Sequence, residues 1–209
     1  MTKPDLGCSV FVFLGKCVVA SCLAPGCFAY SQTYYHPNQE VRISDLPSVT
    51  AKSRHAADVL AASAETVFRD KEVCCGKNSA LENRIEMADP DSLKDVGDKL
   101  RGRQLLSDGR PILVEADFVP AASANAGLLI ADFREKQPLL MEWNSHLYVV
   151  YGVIYDETLD ASGVAAEAIH KLLLLDTRFS DERRDVVFDR LTDDWGQVEG
   201  VLLLKSTRQ

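Results

Sequence analysis

The chain has 209 residues, of which 46% are hydrophobic and 26% charged, with 12 Gly, 8 Pro and 6 Cys. Those are the proportions of one globular domain, and they exclude a collagenous, low-complexity or wholly disordered chain. Lys plus Arg number 23 against 31 for Asp plus Glu, a formal net charge of −8; an acidic surface repels phosphate backbones, which argues against a nucleic-acid partner.

From Ser9 to Tyr30 the chain is apolar apart from Lys16, and Lys3 precedes it. A charged start, an apolar run and small residues at its end predict an export signal over residues 1–31, with a domain over 32–209. Two processing sites are readable. Ala29-Tyr30-Ser31 carries small residues at the −3 and −1 positions and would release a chain starting at Gln32. Val19-Ala20-Ser21-Cys22 instead resembles a lipobox, in which Cys22 would be acylated and anchor the protein to a membrane. Lys16 speaks against both, since a lysine at the centre of a membrane helix costs about 2.5–3.5 kcal/mol. The alternative is an apolar strand or helix belonging to the fold. The export reading implies a periplasmic, extracellular or lipid-anchored protein.

The six cysteines are Cys8, Cys17, Cys22, Cys27, Cys74 and Cys75. Removing the leader leaves only the adjacent pair. Neighbouring cysteines close no useful loop when bridged, so they are not a disulfide framework.

Residues 32–50 hold two prolines and little periodicity and read as an extended lead-in. Ala51 to Asp70 has helix-forming composition, with Leu60, Ala64, Val67 and Phe68 at helical spacing. A second helix is predicted from near Cys75 through Leu81, Ile85 and Ala88. A third runs from Leu93 to about Leu106, with Gly97 and Gly102 as its weak points. Asp108-Gly109 turns the chain into a strand over 110–116. The second half is strand-like at 138–143, 146–156, 170–179 and 198–206, and 157–169 has room for a hairpin excursion or a short helix. Helices first and strands afterwards predict an α+β domain with N-terminal helices on a mostly antiparallel sheet.

Polar residues stand at the edges of these elements. Cys75 opens a predicted helix, where unpaired backbone N–H groups and the helix dipole favour the thiolate and can hold an oxyanion. His146 begins the most hydrophobic strand, and Asp176 closes the run Leu172 to Leu175. A histidine can shuttle a proton to and from such a thiolate, and a carboxylate can orient the histidine. Each has a plainer reading. A free cysteine is among the most buried residue types, and Cys74 reads as packing. His146 can be a strand-edge histidine bonded to a backbone carbonyl, and Asp176 can cap the turn Asp176-Thr177-Arg178. Cys74, Cys75, His146 and Asp176 include ligand types for zinc, but adjacent cysteines lack the usual spacing, and no metal or other cofactor is expected.

These features occur in a telling order. Cys75-Gly76 followed by Ala80-Leu81 comes first, then Gly109-Arg110-Pro111-Ile112-Leu113-Val114. A His146-led strand ending Tyr151-Gly152-Val153 follows, then Leu172–Leu175 ending in Asp176, then Trp195 before a last strand. That order resembles the papain-like cysteine peptidases, most closely the compact bacterial branch that includes leader-cleaving domains of bacteriocin exporters. The likeness covers about residues 55–206. It implies a papain-like fold with Cys75 as nucleophile, His146 as base and Asp176 as its orienter, acting on a peptide or protein through a thioester. One position departs from the pattern: the family's glutamine, about six residues before the nucleophile, is replaced here by Arg69-Asp70-Lys71-Glu72. A missing oxyanion donor typically costs about 10²–10³ in rate. Lys71, Lys77 and Asn78 are the substitutes in reach along the chain. The other reading is a papain-like domain that has lost turnover and serves as a binding module.

Overall fold

A computed structural model of the chain describes residues 12–13, 16–17, 33–47, 49–68, 84, 88–89, 92–105 and 110–208. Val12–Phe13 (β1) and Lys16–Cys17 (β2) pair antiparallel in a short ladder of their own. The other positions of the predicted leader, Cys22 included, lie outside the described residues.

The predicted first helix is α1, Ala56–Phe68, and all four expected positions, Leu60, Ala64, Val67 and Phe68, are buried. Upstream, Ser53 Oγ accepts the His55 N–H at 3.1 Å and donates to Asp58. The predicted second helix falls largely outside the described residues.

The third predicted helix is α2, Leu93–Leu100, with Ser92 as its N-cap accepting the Asp95 N–H at 3.3 Å. It buries Leu93, Val96 and Leu100 but stops short of the expected end near Leu106. Arg101 turns extended, at ψ 139, and Gly102 takes φ +113, a conformation open to glycine at no steric cost. Gly102–Leu105 becomes β4, and Leu105, near the expected end of the helix, is 58% exposed.

The strand predicted at 110–116 is β5, running on to Pro120 from Pro111. Between it and the next strand lies α3, Ala126–Arg134, for which the sequence reading held no expectation. Asn125 caps it by accepting the Leu128 N–H at 2.9 Å, and Leu129, Ile130 and Phe133 are buried.

The later strands are β6 (Leu139–Trp143), β7 (His146–Leu159), β8 (Ala165–Leu175), β9 (Asp185–Asp189) and β10 (Val198–Arg208). Residues 157–169 prove to be the hairpin alternative. β7 and β8 continue into one long ladder, and Asp160 closes the turn by accepting the Ser162 and Val164 N–H groups at 2.8 and 2.9 Å. The lead-in also forms a strand, β3 (Tyr34–Arg42), which pairs with β7. Pro37 lacks the N–H a ladder needs. The register shifts between His36 and Gln39 to pass it, with Asn38 at φ 51.

Among the described residues the fold is α+β, with three α-helices and one eight-stranded antiparallel sheet in the order β4-β5-β10-β6-β7-β8-β9. β6 pairs with β7 over His146–Val150 and β3 with it over Gly152–Leu159, while β8 follows the other edge. The C-terminal strand β10 lies between β5 and β6, so the last element completes the middle of the sheet.

Both faces are covered. Leu60, Ala64 and Val67 of α1 and Val96 and Leu100 of α2 pack with Val114, Leu140, Val149, Leu202 and Leu204. On the other face, Ile130 and Phe133 of α3 pack with Met141, Val150, Leu172, Leu174 and Val201. Trp143 and Trp195 both meet Phe188 edge-on, at centroid distances of 5.0 and 5.6 Å. Both tryptophans are half-buried and pack against the core on this face of the sheet. No described helix is long and apolar enough to cross a membrane.

Candidate functional site

β6 and β7 are joined by Asn144 and Ser145, which take φ 54 and 57. A two-residue loop with both centres at positive φ matches the right-handed twist of the flanking strands. It sets Trp143 opposite His146 and leaves His146 exposed at the start of β7.

The neighbouring strand brings Asp176 to the same end of the sheet. β8 ends at Leu175, opposite Val149, so Asp176 continues alongside Tyr148, two residues beyond His146. Asp176 is buried at 2% exposure, and its N–H donates to Arg184 O at 2.7 Å. Its carboxylate takes the turn-capping role: Oδ1 accepts the Arg178 N–H at 3.0 Å. The Arg178 guanidinium then closes on both oxygens, with Nε at 2.8 Å from Oδ1 and 3.1 Å from Oδ2. This carboxylate raises the pKa of Arg178 further above its ordinary value. Arg178 also lies over the Tyr148 ring, 5.8 Å from its centroid. Burial pushes the Tyr148 phenol up, and the nearby Arg178 charge opposes that shift. Among the described residues, no hydrogen bond or ion pair joins His146 to Asp176.

The turn is docked on α1. The Thr177 hydroxyl is 3.1 Å from that of Ser63, both fully buried, and the Ala51 N–H donates to Thr177 O at 2.8 Å. The helix carries the chain on towards residues 69–83, which lie outside the described residues. They contain Cys74, Cys75, Lys71, Lys77 and Asn78, so the structure places two of the three predicted site residues, His146 and Asp176.

A cavity of about 200 Å³ opens beside His146, walled by Arg54 just before α1, by Ala56 and Val59 from its first turn, by Glu142, Ser145 and Leu147 from the hairpin, and by Arg178. The sequence reading missed its two arginines. Arg178 was legible only as part of a turn, and Arg54 only as part of a helix.

A second polar cluster, also unforeseen, ties β3 to the long hairpin. Asp156 accepts the Tyr35 hydroxyl and the Asn38 N–H, and its Oδ2 is 2.9 Å from His170 Nε2. The Tyr35 hydrogen bond foremost, then Asn38 and His170, hold the Asp156 carboxyl down at about 2. Among the described residues, no group of three or more His, Cys, Asp or Glu side chains could hold a metal ion.

Comparison of the chain with protein families, with curated proteins and with solved structures finds no match.

Proposed function

We propose that the protein is an exported papain-like cysteine peptidase or amidohydrolase acting on peptide or protein substrates. One observation carries the reading: His146 and Asp176, far apart in sequence, stand at one end of adjacent strands beside a cavity walled by the helix that leads to Cys75. In this mechanism the Cys75 thiolate attacks a substrate carbonyl, and backbone N–H groups at the start of its helix hold the oxyanion. The C–N bond breaks as His146, protonated, gives its proton to the leaving amine. Water then attacks the thioester, losing a proton to His146, and the C–S bond breaks to release the acid and restore the Cys75 thiolate beside protonated His146. The orienting role expected of Asp176 requires its carboxylate to leave Arg178, which holds both of its oxygens, and reach His146 from the neighbouring strand.

A second reading has its own support. The Asp176 carboxylate is engaged by Arg178, and the stretch before Cys75 lacks the family's glutamine. A papain-like binding module without turnover fits both observations.

A thiol-directed activity probe separates the two. In a hydrolase, labelling of the full chain disappears in Cys75→Ala and persists in Cys74→Ala. Absence of labelling at Cys75 under reducing conditions, in protein whose melting curve is cooperative, rejects the enzyme.

A further inference from the structure

The cavity beside His146 has a cation in its wall that the catalytic proposal does not use. Arg54 stands exposed on the segment before α1, and among the described residues no carboxylate lies within ion-pair distance of it. Its guanidinium lies over the Phe179 ring, 5.2 Å from the centroid. The other two arginines around that ring are committed elsewhere. Arg178 is clamped on Asp176, and Arg183, 4.5 Å from the same centroid, pairs with Asp181 at 2.7 Å. Stacking orients a guanidinium without neutralising it, so less side-chain freedom is lost when it meets a carboxylate. The remaining walls are Ala56, Val59 and Leu147, which suit an aliphatic stem, and Glu142, which is engaged in an interaction of its own.

We infer that this cavity selects substrates bearing an acidic side chain, the carboxylate meeting Arg54 and the methylene stem lying against Ala56, Val59 and Leu147. The assignment of the cavity as a substrate pocket rests on the proposed catalytic site; its preference for an acid rests on Arg54 alone. The pair is solvent-accessible, so discrimination between a glutamate and its uncharged isostere glutamine should be modest, about threefold to tenfold.

The test uses two blocked dipeptide amides, acetyl-Glu-Ala-amide and acetyl-Gln-Ala-amide, titrated into the full chain. Amide NMR shifts of Ser145, His146 and Leu147 are followed. Tighter binding of the Glu peptide, retained in Arg54→Lys and reduced to parity in Arg54→Gln, supports the inference. Equal affinities in the wild-type protein, no shift at these amides with either peptide, or a preference that survives Arg54→Gln overturns it. Arg54 is exposed and, among the described residues, bears no hydrogen bond, so these variants stay folded, as a thermal melt verifies. Peptidyl thiol probes with Glu or Gln beside the reactive group run in parallel. Failure of both probes at Cys75, with the Glu preference intact by NMR, rejects the catalytic reading and leaves the acid-selective pocket standing.

Discussion

The Arg178 guanidinium grips the Asp176 carboxylate from two residues downstream, Nε lying 2.8 Å from Oδ1, while the Arg178 N–H caps the same oxygen. The Asp176 side chain is 4% exposed and that of Arg178 18%. A buried carboxylate is tolerable only while its partner remains, and breaking such a pair from one side costs about 3–5 kcal/mol. The clamp fixes the turn that docks on Ser63 of α1, at the strand end where His146 stands.

Arg178→Ala should therefore destabilise the protein by about 3 kcal/mol or more, since it strands the Asp176 charge in the interior. Arg183→Ala removes a superficially similar pair, but Arg183 and Asp181 are 62% and 50% exposed, so its loss should be much the smaller of the two. Urea unfolding of both variants checks the contrast. Comparable losses would mean that burial does not set the strength of the Asp176 pair.

Acid should loosen the attachment of β3. The Asp156 carboxyl sits at about 2 when folded, against an ordinary value of 3.8, so folding favours its charged form. That stabilisation is complete above the unfolded value and is lost as pH falls from about 4 through about 2. Asp156→Asn should flatten this part of the stability–pH curve. Tyr35→Phe, which removes the largest cause of the shift, should move the Asp156 titration upward in a carboxyl-detected NMR experiment.

Gly200 occupies a place where no side chain fits. A Cβ there would lie 2.6 Å from the Val119 carbonyl oxygen and 2.7 Å from the Phe118 ring. The backbone oxygen belongs to the β5–β10 ladder and cannot swing aside. Gly200→Ala should cost about 1–3 kcal/mol, as expected for overpacking, and lower the melting temperature.

His146 is exposed, so replacing it should leave the fold intact. His146→Ala should slow labelling of Cys75 by the activity probe by about 10² or more, the usual contribution of a general base, with the melting temperature unchanged. An undiminished labelling rate would remove His146 from the proposed mechanism.

Short-range patterns wrote much of this fold into the sequence. The 3.6-residue spacing of Leu60, Ala64 and Val67 marks α1, and the aliphatic runs around Val149, Leu174 and Leu202 mark three central strands, because each pattern is set by neighbours a few residues away. The same locality explains the misses. Leu105 continues the apolar spacing of α2, but the backbone at Arg101 and Gly102 breaks the helix there, and pairing with β5 claims the segment as a strand. In β3, Pro37 hides a strand that exists because β7 lies more than a hundred residues downstream to pair with it.

The sequence by itself determined the α+β class, the existence of β5, β6, β7, β8 and β10, and the positions of His146 and Asp176 at strand ends. Only the tertiary structure decided that β10 fills the centre of the sheet, that Arg178 engages Asp176, and that Arg54 lines a cavity beside His146. Periodicity records which face of an element is buried, whereas charge partners and cavities depend on which distant elements meet that face.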